Sequence, residues 1–175
     1  LLYPGACANA IGVGVVDSVK SDFAGPNLKH FSLAYPEHSS AGPTVDGRCK
    51  PDIVTGGNCL IADSNDPNNY VSTGNWSSYS TPIVSGTIGL LIERVKSDPN
   101  LHAAISPLGG NCVLKAIVMN SAEKLPYWHK GRISKDDDHL VPLDHIQGAG
   151  ALNAERAYEL LTAGQSLPGQ VGQKG

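Results

Sequence analysis

A run of hydroxyl side chains set against a long apolar segment carries the residue types and spacing most capable of chemistry. Residues 72–82, STGNWSSYSTP, lead directly into residues 83–96, IVSGTIGLLIERVK. A serine at the start of a buried helix has two advantages. The helix's unpaired N–H groups and its dipole stabilise a developing oxyanion, and the rigid backbone fixes the hydroxyl. The hydroxyl alone is a weak nucleophile: it needs a base, normally His, and a group that orients that base. Serines ahead of a helix are otherwise N-caps, and helix grammar alone favours that ordinary role. No Gly-x-Ser-x-Gly elbow occurs, so the α/β-hydrolase arrangement gets no support.

Other reactive side chains form no recognisable set. His30 and His38 precede the serines; His102, His129, His139 and His145 follow them and read as surface or loop residues. Cys7, Cys49, Cys59 and Cys112 make no CxxC pair and show no Cys/His zinc spacing. Free thiols and any of the disulfide pairings stay open, and a disulfide would point to an oxidising compartment. The segment DSNDPNNY, Asp63 to Tyr70, has acids and amides of the kind that hold Ca²⁺. It matches no EF-hand spacing, and a solvated loop is the stronger reading.

The elements that must position the serines follow from periodicity. Ile83, Val84, Ile88, Leu90, Leu91, Ile92 and Val95 cover nearly the whole circumference of a helix starting near Ser78, so that helix is expected to be buried all round. Ser85, Gly86 and Gly89 are poor helix formers that make sense if another element packs very close. Pro82 is placed in the opening turn, where a missing N–H costs little. Ala10 to Asp17 and Pro51 to Gly57 read as short buried strands, the second continuing through Cys59 to Ala62 after a bend, with an edge strand near Leu28 to Leu33. Cys112 to Ser121 and Asn153 to Leu161 read as helices, the latter capped by Asn153 and stopped by Gly164. Residues 128–151 read as a solvated loop or hairpin between them.

Composition sets the outer bounds. With 175 residues, 41% hydrophobic and 17% charged, the chain suits one globular domain, and residues 164–175 read as a flexible Gly- and Gln-rich tail after a domain over 1–163. A formal charge of −3 argues against sequence-independent nucleic-acid binding. No apolar run approaches the roughly 20 residues that span a bilayer. The chain opens at Leu1, with no initiator Met and no leader pattern, and so reads as part of a longer protein.

The segment SSYSTPIVSGTIGLL, Ser77 to Leu91, resembles the nucleophile signature of subtilisin-like serine proteases, the subtilases. In that signature Gly-Thr-Ser-x-Ala-Thr/Ala-Pro precedes a small, apolar helix face. Ser78 falls on the nucleophile, four residues before Pro82, which sets it apart from Ser77. Ser80 and Thr81 fall on Ala-Thr, while Trp76 replaces the first Gly and Ser77 the Thr. Further blocks agree in order: YPGACANAIGVGVVD with the Tyr-Pro…Val-Gly-Ala-Val-Asp strand, and DGRCKPDIVTGG with Lys-Pro-Asp-Ile-x-Ala-Pro-Gly. CVLKAIVMNSA resembles the helix ending in Asn-Ser/Thr-Ala, and QGAGALNAERAYELL the closing Gly-x-Gly-x-Leu/Val-Asn-Ala helix.

The resemblance implies an α/β fold, a three-layer, mostly parallel sheet flanked by helices, incomplete in this chain. It implies a serine endopeptidase that hydrolyses peptide bonds through an acyl-enzyme, with Ser78 as nucleophile and a peptide or protein as substrate. The family's Asp-Thr/Ser-Gly and His-Gly-Thr-His motifs do not occur here. The triad Asp and His and the oxyanion Asn are therefore expected upstream, on an N-terminal half of the same domain, and this chain alone is expected to be inactive. The alternative is a catalytically inactive subtilase-like binding module, or a fragment without function. No cofactor is evident; family habit brings structural calcium as an expectation, without a matching ligand set. Secretion, or another extracytoplasmic location, is likewise implied by resemblance.

Overall fold

The computed structural model describes residues 3–18, 31–34, 39–106, 109–125, 128 and 142–163. The β-branched run after Gly12 forms β1 (Val13–Ser18), whose Val15 and Val16 are completely buried. It lies between β2 (Phe31–Ala34), antiparallel to it, and β3 (Ile53–Gly56), parallel to it in the register Val13↔Ile53 through Val16↔Gly56. The expected continuation of the second strand through Cys59 to Ala62 does not form: Leu60 to Ala62 leaves the sheet. As β4 (Leu60–Ala62) it pairs antiparallel with β5 (Tyr70–Ser72), making a separate hairpin whose tip is the polar segment 63–69. The chain leaves β3 through Gly57, and the Thr73 and Asn58 side chains, fourteen and sixteen residues from their partners, tie it into a closed excursion.

Four helices follow among the described residues: α1 (Ser77–Ser97), α2 (Pro99–Ile105), α3 (Gly110–Asn120) and α4 (Ala154–Thr162). Val84, Leu91 and Val95 of α1 meet Leu101, Ile105, Leu114, Val118, Ala157 and Leu161 in one cluster with Ile53 of β3. Val54, the neighbouring residue, points the other way, as strand alternation requires. It packs with Val16, Leu125 and Ala151. Asn153 caps α4 as expected, its side chain accepting the Arg156 N–H at 2.9 Å.

α2 was not anticipated from periodicity. Asp98 accepts the N–H groups of Asn100 (2.9 Å) and Leu101 (3.2 Å), and Pro99 stands at the first helical position. The expectation that α1 is buried all round is overturned. Its buried side chains form a single stripe, Ser80, Val84, Thr87, Leu91 and Val95. Ile83, Leu90 and Ile92 are exposed, Leu90 to 68%, and a Cβ on Gly86 or Gly89 would meet nothing within 4 Å. Among the described residues no element lies against that face. A shallow cavity of about 410 Å³, lined among others by Ile11, Ile88, Ile92, Ile105 and Leu114, adjoins it.

The described part of 128–151 is also not a solvated loop. Trp128 and Asp144 are fully buried, and the Asp144 carboxylate accepts the N–H groups of Ile146 (2.8 Å) and Gln147 (2.9 Å), closing a tight turn inside the fold. Gly164 and the tail 164–175 lie outside the described residues.

A buried ionic knot fixes β1, β3 and α3 together. Asp52 accepts the Gly12 N–H at 2.6 Å, ion-pairs with Lys115 at 3.0 Å and contacts the Lys50 ammonium. Lys50 also reaches the Ala10 carbonyl (2.9 Å), while Lys115 reaches Ala8 (3.1 Å) and Ala10 (3.0 Å). A charge this deep persists only when its partners and hydrogen bonds are complete. All four cysteines are free thiols. Among the described residues no single helix is long and apolar enough to cross a membrane.

Candidate active site

Ser78 is the second residue of α1 and is exposed. What holds it there begins in β3. The strand ends at Gly56, and the chain makes the hairpin excursion and returns beside its starting point. The Thr73 hydroxyl accepts the Cys59 N–H at 3.0 Å and lies 3.2 Å from the Gly57 carbonyl; the Asn58 side chain accepts the Gly74 N–H at 3.3 Å. Two glycines make the return geometrically allowed. Gly74 has φ +77, a left-handed backbone that side chains disfavour. At Gly57 a Cβ would stand 2.5 Å from the Trp76 carbonyl oxygen and 2.8 Å from its nitrogen, so the Trp76 backbone lies directly on Gly57.

The first turn of α1 is then pinned to the sheet. Ser80 is fully buried, and its hydroxyl donates to the Thr55 carbonyl of β3 at 3.0 Å. Helical bonding opens with the Tyr79 N–H (2.9 Å) and Ser80 N–H (3.3 Å) to the Trp76 carbonyl. The N–H groups of Ser77 and Ser78 are thus left at the helix mouth. Trp76, in the N-cap position, gives no side-chain cap bond. The first turn carries no acidic side chain, and Arg94 and Lys96 occupy the last turn. The positive end of a 21-residue helix therefore lies at Ser78 with no acidic side chain in its own first turn.

Pro82 lies inside the helix and not in the stretch whose N–H groups are spare. An N–H there would have bonded the Ser78 carbonyl, so the proline removes that rung of the ladder. The neighbouring Ser77 carbonyl accepts the Thr81 hydroxyl as well, at 2.9 Å, while the Ser78 carbonyl loses its backbone donor.

Nothing among the described residues hydrogen-bonds the Ser78 hydroxyl. His102 is exposed on α2 and His145 lies in the buried turn at 144–148, while His30, His38, His129 and His139 fall outside the described residues. The structure thus brings together Ser78, its own N–H and the helix end. Sequence reasoning singled out Ser78 but missed the Ser80–Thr55 bond and the Gly57–Trp76 contact, both of which depend on β3 lying under the helix start. Asp63 and Asp66 each accept the N–H two residues on, from Asn65 and Asn68 (2.9 and 3.0 Å). No group of three or more His, Cys, Asp or Glu side chains converges among the described residues.

Two other titratable groups are shifted by their surroundings. Burial, aided by Asp144, pushes the Cys49 thiol up to about 11, and its sulfur lies 3.3 Å from the Asp144 carbonyl oxygen. The Arg48 guanidinium, with the Thr44 hydroxyl, holds the exposed Asp46 carboxyl down at about 2.

Comparison with known proteins agrees with this geometry. The chain is 30% identical over 119 residues to the C5a peptidase of Streptococcus pyogenes, covering 68% of this chain and 9% of that protein. It is 28% identical over 180 residues to the serine protease AprX of Bacillus subtilis, covering 95% of this chain and 31% of that protein. Among solved structures, the patellamide maturation protease PatA superimposes with a TM-score of 0.54 at 23% identity, over 91% of this chain and 45% of that one. The chain thus spans less than half the length of each of these proteins. Its match to the subtilase family runs over residues 1–150, from β1 through α3 and across Ser78, and so the chain belongs to the subtilase family of serine peptidases.

Proposed function

We propose that this chain is the C-terminal part of a subtilase catalytic domain, with Ser78 the nucleophile of a serine endopeptidase. One observation carries the reading: an exposed serine stands at the uncapped N-terminus of a long helix that Ser80 fastens to the sheet. In the reaction, Ser78 Oγ attacks a peptide carbonyl while a histidine base takes its proton. The same histidine then protonates the departing amine, and water hydrolyses the ester. The Ser78 N–H holds the oxyanion at the helix mouth. The histidine, the aspartate that orients it and an oxyanion asparagine belong to an N-terminal half of the same domain. That half covers the open face of α1, where Ile83, Leu90 and Ile92 are exposed and Gly86 and Gly89 leave room for close approach. The isolated chain is inactive, because nothing among its described residues serves as base to Ser78. Its substrate is a peptide or protein, and the protein works outside the cytoplasm.

Labelling with a fluorophosphonate, followed by peptide mapping, tests this on the isolated chain and on the full-length protein. The expected result is modification at Ser78 in the full-length protein alone. A folded full-length protein that takes no label would overturn the peptidase reading and favour a binding module, toward which the bulky Trp76 would then point.

A further inference from the structure

We propose that Trp76 is a specificity-determining residue, a fixed aromatic wall that receives an aromatic or large aliphatic side chain adjoining the scissile bond. The proposal rests on Ser78 being the nucleophile.

The position is unusual for this residue type. An N-cap favours Ser, Thr, Asp or Asn, whose short side chains bond the first free N–H groups. Trp76 holds that position with an extended backbone (φ −124, ψ 137) and makes no cap bond. Its side chain therefore does not supply the cap that this position usually gives. Nor is it buried as a core residue: Trp76 is 48% exposed, whereas Trp128, the other tryptophan of the chain, is fully buried.

The ring is nevertheless held on a rigid base. Gly57 lies against the Trp76 carbonyl and nitrogen, so closely that any side chain there would collide. Gly74, in its left-handed conformation, lies against the indole, a Cβ there coming within 3.4 Å of Nε1. On the other side, α1 begins at once, and Ser80 anchors it to β3. A large apolar surface on a backbone clamped from both directions is already ordered before a ligand arrives. Little freedom is then lost on binding, and a flat ring gives much contact area for few rotatable bonds.

Distance completes the argument. Two trans peptide units place the Trp76 and Ser78 Cα atoms no more than about 7.6 Å apart. When a substrate carbonyl carbon sits against Ser78 Oγ, the side chains on either side of that bond emerge within reach of an indole. The β4–β5 hairpin that precedes Trp76 carries Leu60 and Tyr70, both exposed and both on one face of its ladder. The segment that carries Ser78 has no charged side chain between Tyr70 and Arg94 apart from Glu93. A side chain recognised here is apolar and large.

The test uses the full-length protein containing this chain. Fluorophosphonate labelling first reports whether Ser78 is competent. Next, kcat/KM is measured on peptides carrying Gly, Ala, Leu or Phe at each of the two residues flanking the cleaved bond. The wild type is expected to prefer Phe and Leu over Ala at one of them. In Trp76→Ala that preference ratio falls roughly tenfold, the discrimination a hydrophobic contact of this size supports, and Trp76→Phe keeps most of it. A second readout is acrylamide quenching, with the Trp76 signal taken as the difference between the wild type and Trp76→Phe. A Phe-bearing peptidyl phosphonate attached to Ser78 should shield the Trp76 fluorescence from acrylamide, and its Ala-bearing counterpart should not. An unchanged ratio in Trp76→Ala, or equal quenching with both phosphonates, overturns the proposal while Ser78 still labels. Absence of Ser78 labelling in the wild type overturns the nucleophile reading and this proposal with it.

Discussion

Ser77, Ser78 and Ser80 are chemically alike and lie within four positions of one another, yet the fold gives them different tasks. Ser80 is buried and donates to Thr55; Ser77 lends its carbonyl to Thr81; Ser78 faces outward with its hydroxyl unengaged among the described residues. Ser78→Ala is therefore expected to abolish fluorophosphonate labelling of the full-length protein while shifting stability by no more than about 0.5 kcal/mol, as for other exposed sites. Ser80→Ala is expected to do the reverse in stability, costing about 1–3 kcal/mol, because the Thr55 carbonyl stays buried without its donor. Urea midpoints for the two variants separate these outcomes. The thiols divide in the same way. Cys49 is held protonated up to about 11 by burial, whereas Cys112 is exposed. Since the thiolate is the reactive species, iodoacetamide at pH 8 should modify Cys112 well before Cys49, with peptide mass spectrometry giving the order.

At the scale of elements, the helix ends decide where the chain turns and how it answers to pH. Asn153→Ala should lower stability by about 1 kcal/mol, the usual effect of losing such a cap. Asp98 caps α2 and adds a charge. The Leu101 N–H, then the Asn100 N–H and the Arg94 guanidinium, hold its carboxyl below the ordinary carboxylate range, against a smaller opposing effect of burial. A carboxyl depressed in the folded state contributes stability above its unfolded pKa and loses it as pH falls through the folded one. Melting temperature should accordingly drop on acidification below about pH 4, and Asp98→Asn should make that drop shallower. An identical acid profile for the variant would show that the cap carries no charge-dependent share.

Across the whole molecule, one buried knot and one open face matter most. Asp52 is the shared counter-charge of Lys50 and Lys115 and the acceptor for Gly12, so it joins β1, β3 and α3 at once. Asp52→Ala strands a buried lysine and is expected to cost about 3–5 kcal/mol; a loss below about 1 kcal/mol, typical of surface pairs, would contradict that role. The open face of α1 behaves oppositely. Because a Cβ at Gly86 meets nothing within 4 Å, Gly86→Leu should leave the isolated chain folded and even gain up to about 1 kcal/mol of helix propensity. In the full-length protein the same change should destabilise the domain and reduce Ser78 labelling, since the proposed N-terminal half needs that space.

What the sequence determined by itself was local. The helix opening at Ser77, the Asn153 cap, the short β-branched strands and the serine four residues before a proline all depend on neighbours within a turn or two, and all are legible in residue order. The start of α2 was equally legible in Asp98-Pro99, a capping residue followed by a first-turn proline, though its few apolar residues gave periodicity too little length to act on. Only the tertiary structure decided the rest. Cys59 to Ala62 leaves the sheet because Thr73 and Asn58, fourteen and sixteen residues from their partners, close a hairpin. Asp144 is buried because the turn at 144–148 folds onto Asp52, whose carbonyl receives the Ala149 N–H. And α1, apolar round nearly its whole circumference, is covered on one face only. Periodicity records which faces of a helix are suited to burial; which of them is buried depends on the elements that come to lie against it.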